Sequence, residues 1–152
     1  MDDRPTIVVG VDGSEESRAA VGYAMEDAAR RGARVRAVAV YPEPDYWAVA
    51  YGMSAPPTTA EITVGLEKAT RQVVDEVRGR RPAVADVPVD VVGLSGSPAK
   101  VLLHQARDAD LLVLGHRGKG GFASAVLGSV GLHCVLHATA PVTIVRGGEP
   151  AA

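Results

Sequence analysis

Five short runs of β-branched and aliphatic residues recur along the chain, at 6–12 (TIVVGVD), 35–41 (VRAVAVY), 89–93 (VDVVG), 110–115 (DLLVLG) and 141–146 (PVTIVR). Each closes near glycine, proline or a polar turn residue, and such runs predict strands buried on both faces. Between them the apolar period changes. Ile62, Leu66, Ala69, Val73 and Val77 recur at steps of four, three, four and four, which predicts a helix over about 61–80, stopped by Arg80-Arg81-Pro82. Ser14, followed by Glu15 and Glu16, opens a helix over about 14–31 that Arg30, Arg31 and Gly32 close. Ser97 is the N-cap of a third helix with Pro98 at its first position, ending near Arg107 or Asp108. A fourth, about 129–138, stops before Pro141. Alternation of strand and helix predicts an α/β fold, an open parallel sheet with helices on both faces and right-handed crossovers. No repeat or linker divides residues 1–152, so one domain is expected. Residues 42–60, with Pro56-Pro57, Gly52 and the sole Trp47, are its one long irregular insertion, the kind of segment that forms a lid.

Composition narrows the function. The chain has 152 residues, enough for a domain that buries roughly 70% of its unfolded surface. Sixteen Lys and Arg against eighteen Asp and Glu give a net charge of −2, which removes the electrostatic footprint of a general nucleic-acid or anionic-membrane binder. One cysteine, Cys134, allows no internal disulfide and reads as a small apolar packing residue. The acidic start and the lack of any apolar run approaching ~18 residues point to a cytoplasmic protein without a membrane span.

In open parallel sheets ligands gather outside the carboxyl ends of the strands, where strand order reverses. Asp12 and Gly115 sit at two such ends. From Gly115 the chain reads GHRGKGGFASAVLGS: glycines at 115 and 118, nine residues, then Gly128-Ser129 opening a helix. Glycines let backbone N–H groups approach a phosphate chain, and a helix start offers unpaired donors with a favourable dipole. Arg117 and Lys119 add positive charge. A Walker A sequence is absent, and the turn after the first strand, GVDGS, does not fit GxGxxG. Glu15 and Glu16 disfavour an anion at the first helix, so phosphate is expected at the fourth. Simpler roles stand beside these: Asp12 as a turn residue bonding its own backbone, the glycines as tight-turn residues, Ser129 as an N-cap. His104, His133 and His137 read as helix-surface or packing residues, leaving His116 as the histidine in the loop. Trp47 and Tyr51 fit a loop anchor or partner contact as well as a base-stacking role.

The strand ending VGVDGS, the pattern G-x2-G-x9-G-S, the GSPA turn and the final APVTIVR together resemble the universal stress protein family over nearly the whole chain. The resemblance implies a Rossmann-like five-stranded sheet in the order 3-2-1-4-5, related to the adenine nucleotide alpha hydrolases, with ATP between strands one and four, and commonly a homodimer. Carried over by position, Asp12 would contact the ribose or a metal-linked phosphate and Val40 would hold adenine through its backbone. Gly115, Gly118, Gly128 and Ser129 would receive the phosphates beside the Val130 amide. His116 departs from the family, where a small polar residue is common. Three functions follow: a nucleotide-dependent regulator of the stress response holding ATP with Mg²⁺, a slow ATPase using Asp12 with a metal, Arg117 and Ser129, or a nucleotide-free dimeric interaction module. A bulky residue at Gly115 or Gly128 is expected to abolish ATP binding in a folded domain. The apolar strand at 142–145 is expected at a sheet edge open to a second copy, and proline at 145 is expected to shift the protein toward monomer by deleting a ladder donor.

Overall fold

A computed structural model describes residues 3–43, 50–52, 57–117 and 127–147. Its strands are β1 (Thr6–Gly10), β2 (Arg34–Tyr41), β3 (Val89–Ser95), β4 (Leu111–Gly115) and β5 (Val142–Val145). Its helices are α1 (Glu15–Arg31), α2 (Thr59–Arg80), α3 (Pro98–Gln105) and α4 (Ser129–His137), with a 3-10 turn at Pro82–Val84. All four strand pairings are parallel, in the order β3-β2-β1-β4-β5. The expected architecture is therefore the observed one. Gly118, Trp47 and most of the expected lid lie outside the described residues.

Strand alternation divides the core into two layers. Ile7, Val9, Val35, Ala37, Leu111 and Val113 pack under α1 and α2 with Ala24, Met25 and Val74. Val8, Val38, Leu112 and Leu114 face the other way, onto Leu102 of α3 and Cys134 of α4. Ser14 caps α1 by accepting from Ser17 N–H, and Gly32 ends it in the left-handed conformation at φ 65°. Thr58 and Glu61 form a reciprocal capping box on α2, which starts two residues earlier than its apolar stripe suggested. Ser97 is the N-cap of α3 by position but makes no side-chain cap bond.

The ladder also fixes which backbone groups face outward at each edge. His116 N–H donates to Val145 O and Leu112 N–H to Pro141 O, so residues 141, 143 and 145 of the last strand face β4. Val142 and Ile144 therefore turn their backbone groups to the open edge. The expectation that proline at 145 would favour monomer is corrected by this register: the ladder donor it deletes is in the internal pairing with β4, not at the open edge. On the opposite edge Val35 N–H donates to Pro88 O and Gly96 N–H to Tyr41 O, which turns Gly93 outward. That edge is occupied. Glu67 of α2 accepts the Gly93 N–H at 3.1 Å, and its Cγ lies 3.2 Å from where a Cβ at Gly93 would stand.

Candidate functional site

Where β1 ends and the chain turns into α1, a cleft opens at the carboxyl edge of the sheet. The cavity is about 490 Å³ and lies between the ends of β1, β2 and β4 and the starts of α3 and α4. This size is within the range of small-molecule sites. Asp12, Val40, Gly115, Arg117, Gly128, Ser129 and Val130 all line it, so seven of the eight residues singled out from sequence meet in one place.

The cavity has an apolar and a polar end. Val11, Val38, Val40, Leu102 and Leu114 supply apolar walls, with Pro42 at the rim. Val40 is also a backbone site. Even-numbered residues of β2 face β1, as Arg34 N–H donating to Pro5 O shows, yet the last ladder pair of β1 and β2 is Gly10 with Val38. The N–H and C=O of Val40 thus point where β1 has already left the sheet. A planar heterocycle seated there meets one donor and one acceptor.

At the polar end α4 begins without a side-chain cap. Gly128 is the N-cap, in extended conformation at φ −67° and ψ 160°, so Ser129 is the first helical residue rather than the cap. The Gly128 amide already donates to His116 O at 3.0 Å, and the first bond within the helix runs from Leu132 N–H to Gly128 O. Ser129, Val130 and Gly131 therefore present the first-turn amides that have no acceptor within the helix. Gly131 was not evident from sequence because its role depends on which residue takes the cap. With the helix dipole these amides are suited to hold an anion.

Gly115 is glycine for a different reason from the expected one. A Cβ there would stand 2.8 Å from the carbonyl carbon of Glu16 and 2.9 Å from its oxygen, so the missing side chain admits the first turn of α1. Gly147 does the same from the far side, its Cβ position lying 2.9 Å from Glu16 Cα. The expectation that a bulky residue at 115 would spare the fold does not hold.

Asp12 is exposed at the cavity rim, and its turn role is real: Oδ1 accepts from Ser14 N–H at 2.9 Å and from Ser14 Oγ at 2.5 Å. Ser14 and Ser17 line the cavity as well, through the α1 cap that sequence reading assigned to structure alone. Among the described residues no group of three or more His, Cys, Asp or Glu could hold a metal unaided. Mg²⁺ characteristically takes one or two carboxylates and fills its sphere with water and phosphate oxygens, so Asp12 suffices for an ion that arrives with a phosphate chain. His104, His133 and His137 are exposed and outside this cavity. Cys134 is buried beside Ala99 O, and burial pushes its thiol pKa up.

Comparisons with known proteins agree with this architecture. The model of the Universal stress protein family matches residues 4–146. A universal stress protein of Thermus aquaticus is 35% identical over 145 residues, covering 93% of this chain and 98% of its own length. One from Mycolicibacterium smegmatis is 32% identical over 145 residues, covering 95% of this chain and 47% of its own, so the chain spans about half the length of that relative. A solved universal stress protein in complex with cAMP superposes with a TM-score of 0.66 at 27% identity, covering 95% of this chain and 98% of the other.

Proposed function

The chain belongs to the universal stress protein family, and on that premise we propose that its cleft binds ATP with Mg²⁺ and that occupancy regulates the protein's interactions in the stress response. The observation that carries this reading is the uncapped start of α4, whose Ser129, Val130 and Gly131 amides open into the cavity opposite the unpaired backbone edge of Val40. Base and phosphates then have separate seats. The relative that carries cAMP supports an adenine nucleotide in this fold. Asp12 meets the ribose or the metal-linked phosphates, and Arg117 adds charge at the phosphate end.

Binding, rather than turnover, is the function assigned. In-line attack on a γ-phosphate needs a group that orients water. Asp12 is the one carboxylate among the described cavity residues, and its Oδ1 is held by Ser14. The test is mass spectrometry of the natively purified protein followed by calorimetric titration. ATP bound near one per chain, tighter with Mg²⁺, is the expected result; a protein that takes no adenine nucleotide at saturating concentration refutes it.

The same reading includes a homodimer through β5. Glu67 blocks the β3 edge, whereas Val142 and Ile144 leave theirs open, and α4, which leads into β5, exposes Leu132, Val135 and Leu136. These three recur at helical spacing and form an apolar stripe that a second copy would cover.

A further inference from the structure

Outside the cleft, α4 sets two imidazoles side by side. His133 and His137 stand four residues apart in the helix and so share one face. Their ring centres are 4.7 Å apart, with the planes inclined at 46°. Both side chains are exposed, and neither ring is engaged in a hydrogen bond or an ion pair among the described residues. The separation is that of two ligands on one metal ion. An imidazole nitrogen binds Zn²⁺ at about 2.0–2.1 Å and its ring centre stands about 1.1 Å farther out, so two rings in neighbouring positions, about 90–110° apart, have centres about 4.5–5.2 Å apart. Turning each exposed ring about its χ2 bond brings one nitrogen of each to the shared point.

The helix itself favours a cation there. α4 ends at His137, so the pair stands at the carbonyl end of the helix dipole, and its nine residues include no Lys or Arg. We propose that His133 and His137 form a binding site for a divalent transition metal ion, each ring giving one nitrogen and water filling the remaining positions. Two protein ligands are fewer than a structural zinc site has, so the ion is exchangeable. Imidazole suits Zn²⁺, Ni²⁺ and Cu²⁺, whereas Mg²⁺ takes oxygen ligands. The site is thus separate in place and in metal from the Mg²⁺ expected with a nucleotide, and it stands whether or not the cleft binds one. Its spacing exists only while the helix is formed, so bound metal stabilises the folded state.

Zn²⁺ titrated into the native protein without nucleotide, followed by calorimetry and by the ring ¹⁵N resonances of the histidines, tests this. The His133 and His137 resonances are expected to shift together at one Zn²⁺ per chain, while His104, the exposed histidine of α3, is unmoved at the same occupancy and Mg²⁺ moves neither ring of the pair. His133→Ala and His137→Ala should each weaken Zn²⁺ at least about tenfold, because a lone imidazole loses the effective concentration of the second; His104→Ala should leave it unchanged. Zn²⁺ should also raise the melting temperature of the native protein and not that of either pair variant. His104 shifting in step with the pair, one ring of the pair shifting without the other, or either pair variant binding as tightly as the native chain overturns the assignment. Where melts show that a substitution has cost the fold, the native protein's ring resonances alone decide.

Discussion

The absent cap on α4 makes a prediction in which stability and binding move in opposite directions. Gly128 occupies an N-cap position at φ −67° and ψ 160°, a conformation open to any residue, and offers no side chain to the first-turn amides. Gly128→Asp supplies one. Its carboxylate can accept from Val130 or Gly131 N–H and sits at the positive end of the helix dipole. Replacing glycine by aspartate at a cap gains a few tenths of a kcal/mol, and the dipole adds ~0.3–1, so the fold should gain about 1 kcal/mol. For a domain of this size that raises the melting temperature by roughly 2–4 °C. ATP meets the reverse. The new carboxylate competes for the amides that would hold phosphate and repels it, with two unit charges ~4 Å apart at a surface dielectric worth about 4 kcal/mol. Even half of that lowers affinity roughly thirtyfold. Gly128→Ser brings the same competition without the charge and should fall between. The assay pairs thermal melts with ATP and adenosine titrations. A Gly128→Asp protein that melts higher and binds ATP as tightly as the native chain would falsify the placement of phosphate at α4.

Gly115→Ala should destabilise the fold by about 1–3 kcal/mol, the range for overpacking a tight site, because its Cβ meets the Glu16 backbone rather than a movable side chain; an unchanged urea midpoint contradicts this. Leu136→Glu, on the apolar stripe of α4, should shift the protein toward monomer in sedimentation equilibrium without changing ATP affinity, whereas Glu67→Ala should expose the Gly93 N–H and produce species larger than a dimer. The dimer surviving Leu136→Glu, or the Glu67→Ala protein remaining no larger than the native one, places the interface elsewhere. Burial raises the pKa of Cys134, so the folded state keeps the thiol protonated. Stability from this group is full below the ordinary thiol pKa and falls as pH rises above it, where the unfolded chain gains a thiolate; alkaline melts of Cys134→Ala should lack that slope.

Much of this was legible in the sequence because parallel strands buried on both faces are written as uninterrupted apolar runs, and the helices between them carry their own caps. Element order, the parallel sheet and the placing of Asp12 and the Gly128-Ser129 turn at strand and helix ends follow from that, whereas Val40 and Val130 were implied only by the family resemblance. What could not be read depends on register. Whether Val142 or Val145 faces outward changes with a shift of one residue in pairing, and no feature of the run PVTIVR decides it. The same holds for Glu67, whose contact with Gly93 spans two elements. Glycine is ambiguous for another reason: its absent Cβ serves a ligand, a turn or a neighbouring helix equally well. At Gly115 the structure favours the neighbouring helix, since Glu16 fills the space.

The two ends of the cleft leave backbone groups open in the same way, by ending a regular element one step before its hydrogen bonds are complete. At Val40, β2 outruns β1 by a rung and leaves a backbone edge unmatched; at α4, a glycine stands where serine or aspartate would have satisfied the first turn. Each omission forgoes stability that the fold could have had, a few tenths of a kcal/mol for the glycine at the helix cap alone. A ligand that supplied the missing partners would recover it, so the proposed nucleotide binding would be coupled to domain stability through the same backbone groups. That coupling would give occupancy a route to the surface: α4 carries the open amides at its first turn and Leu132, Val135 and Leu136 along its exposed side. A helix whose first turn is firmer when phosphate is bound also presents a firmer apolar stripe, and β5 is joined to that first turn through His116. The proposed nucleotide site and the proposed dimer surface are thus two faces of one short helix, which is the physical basis for expecting occupancy to alter association.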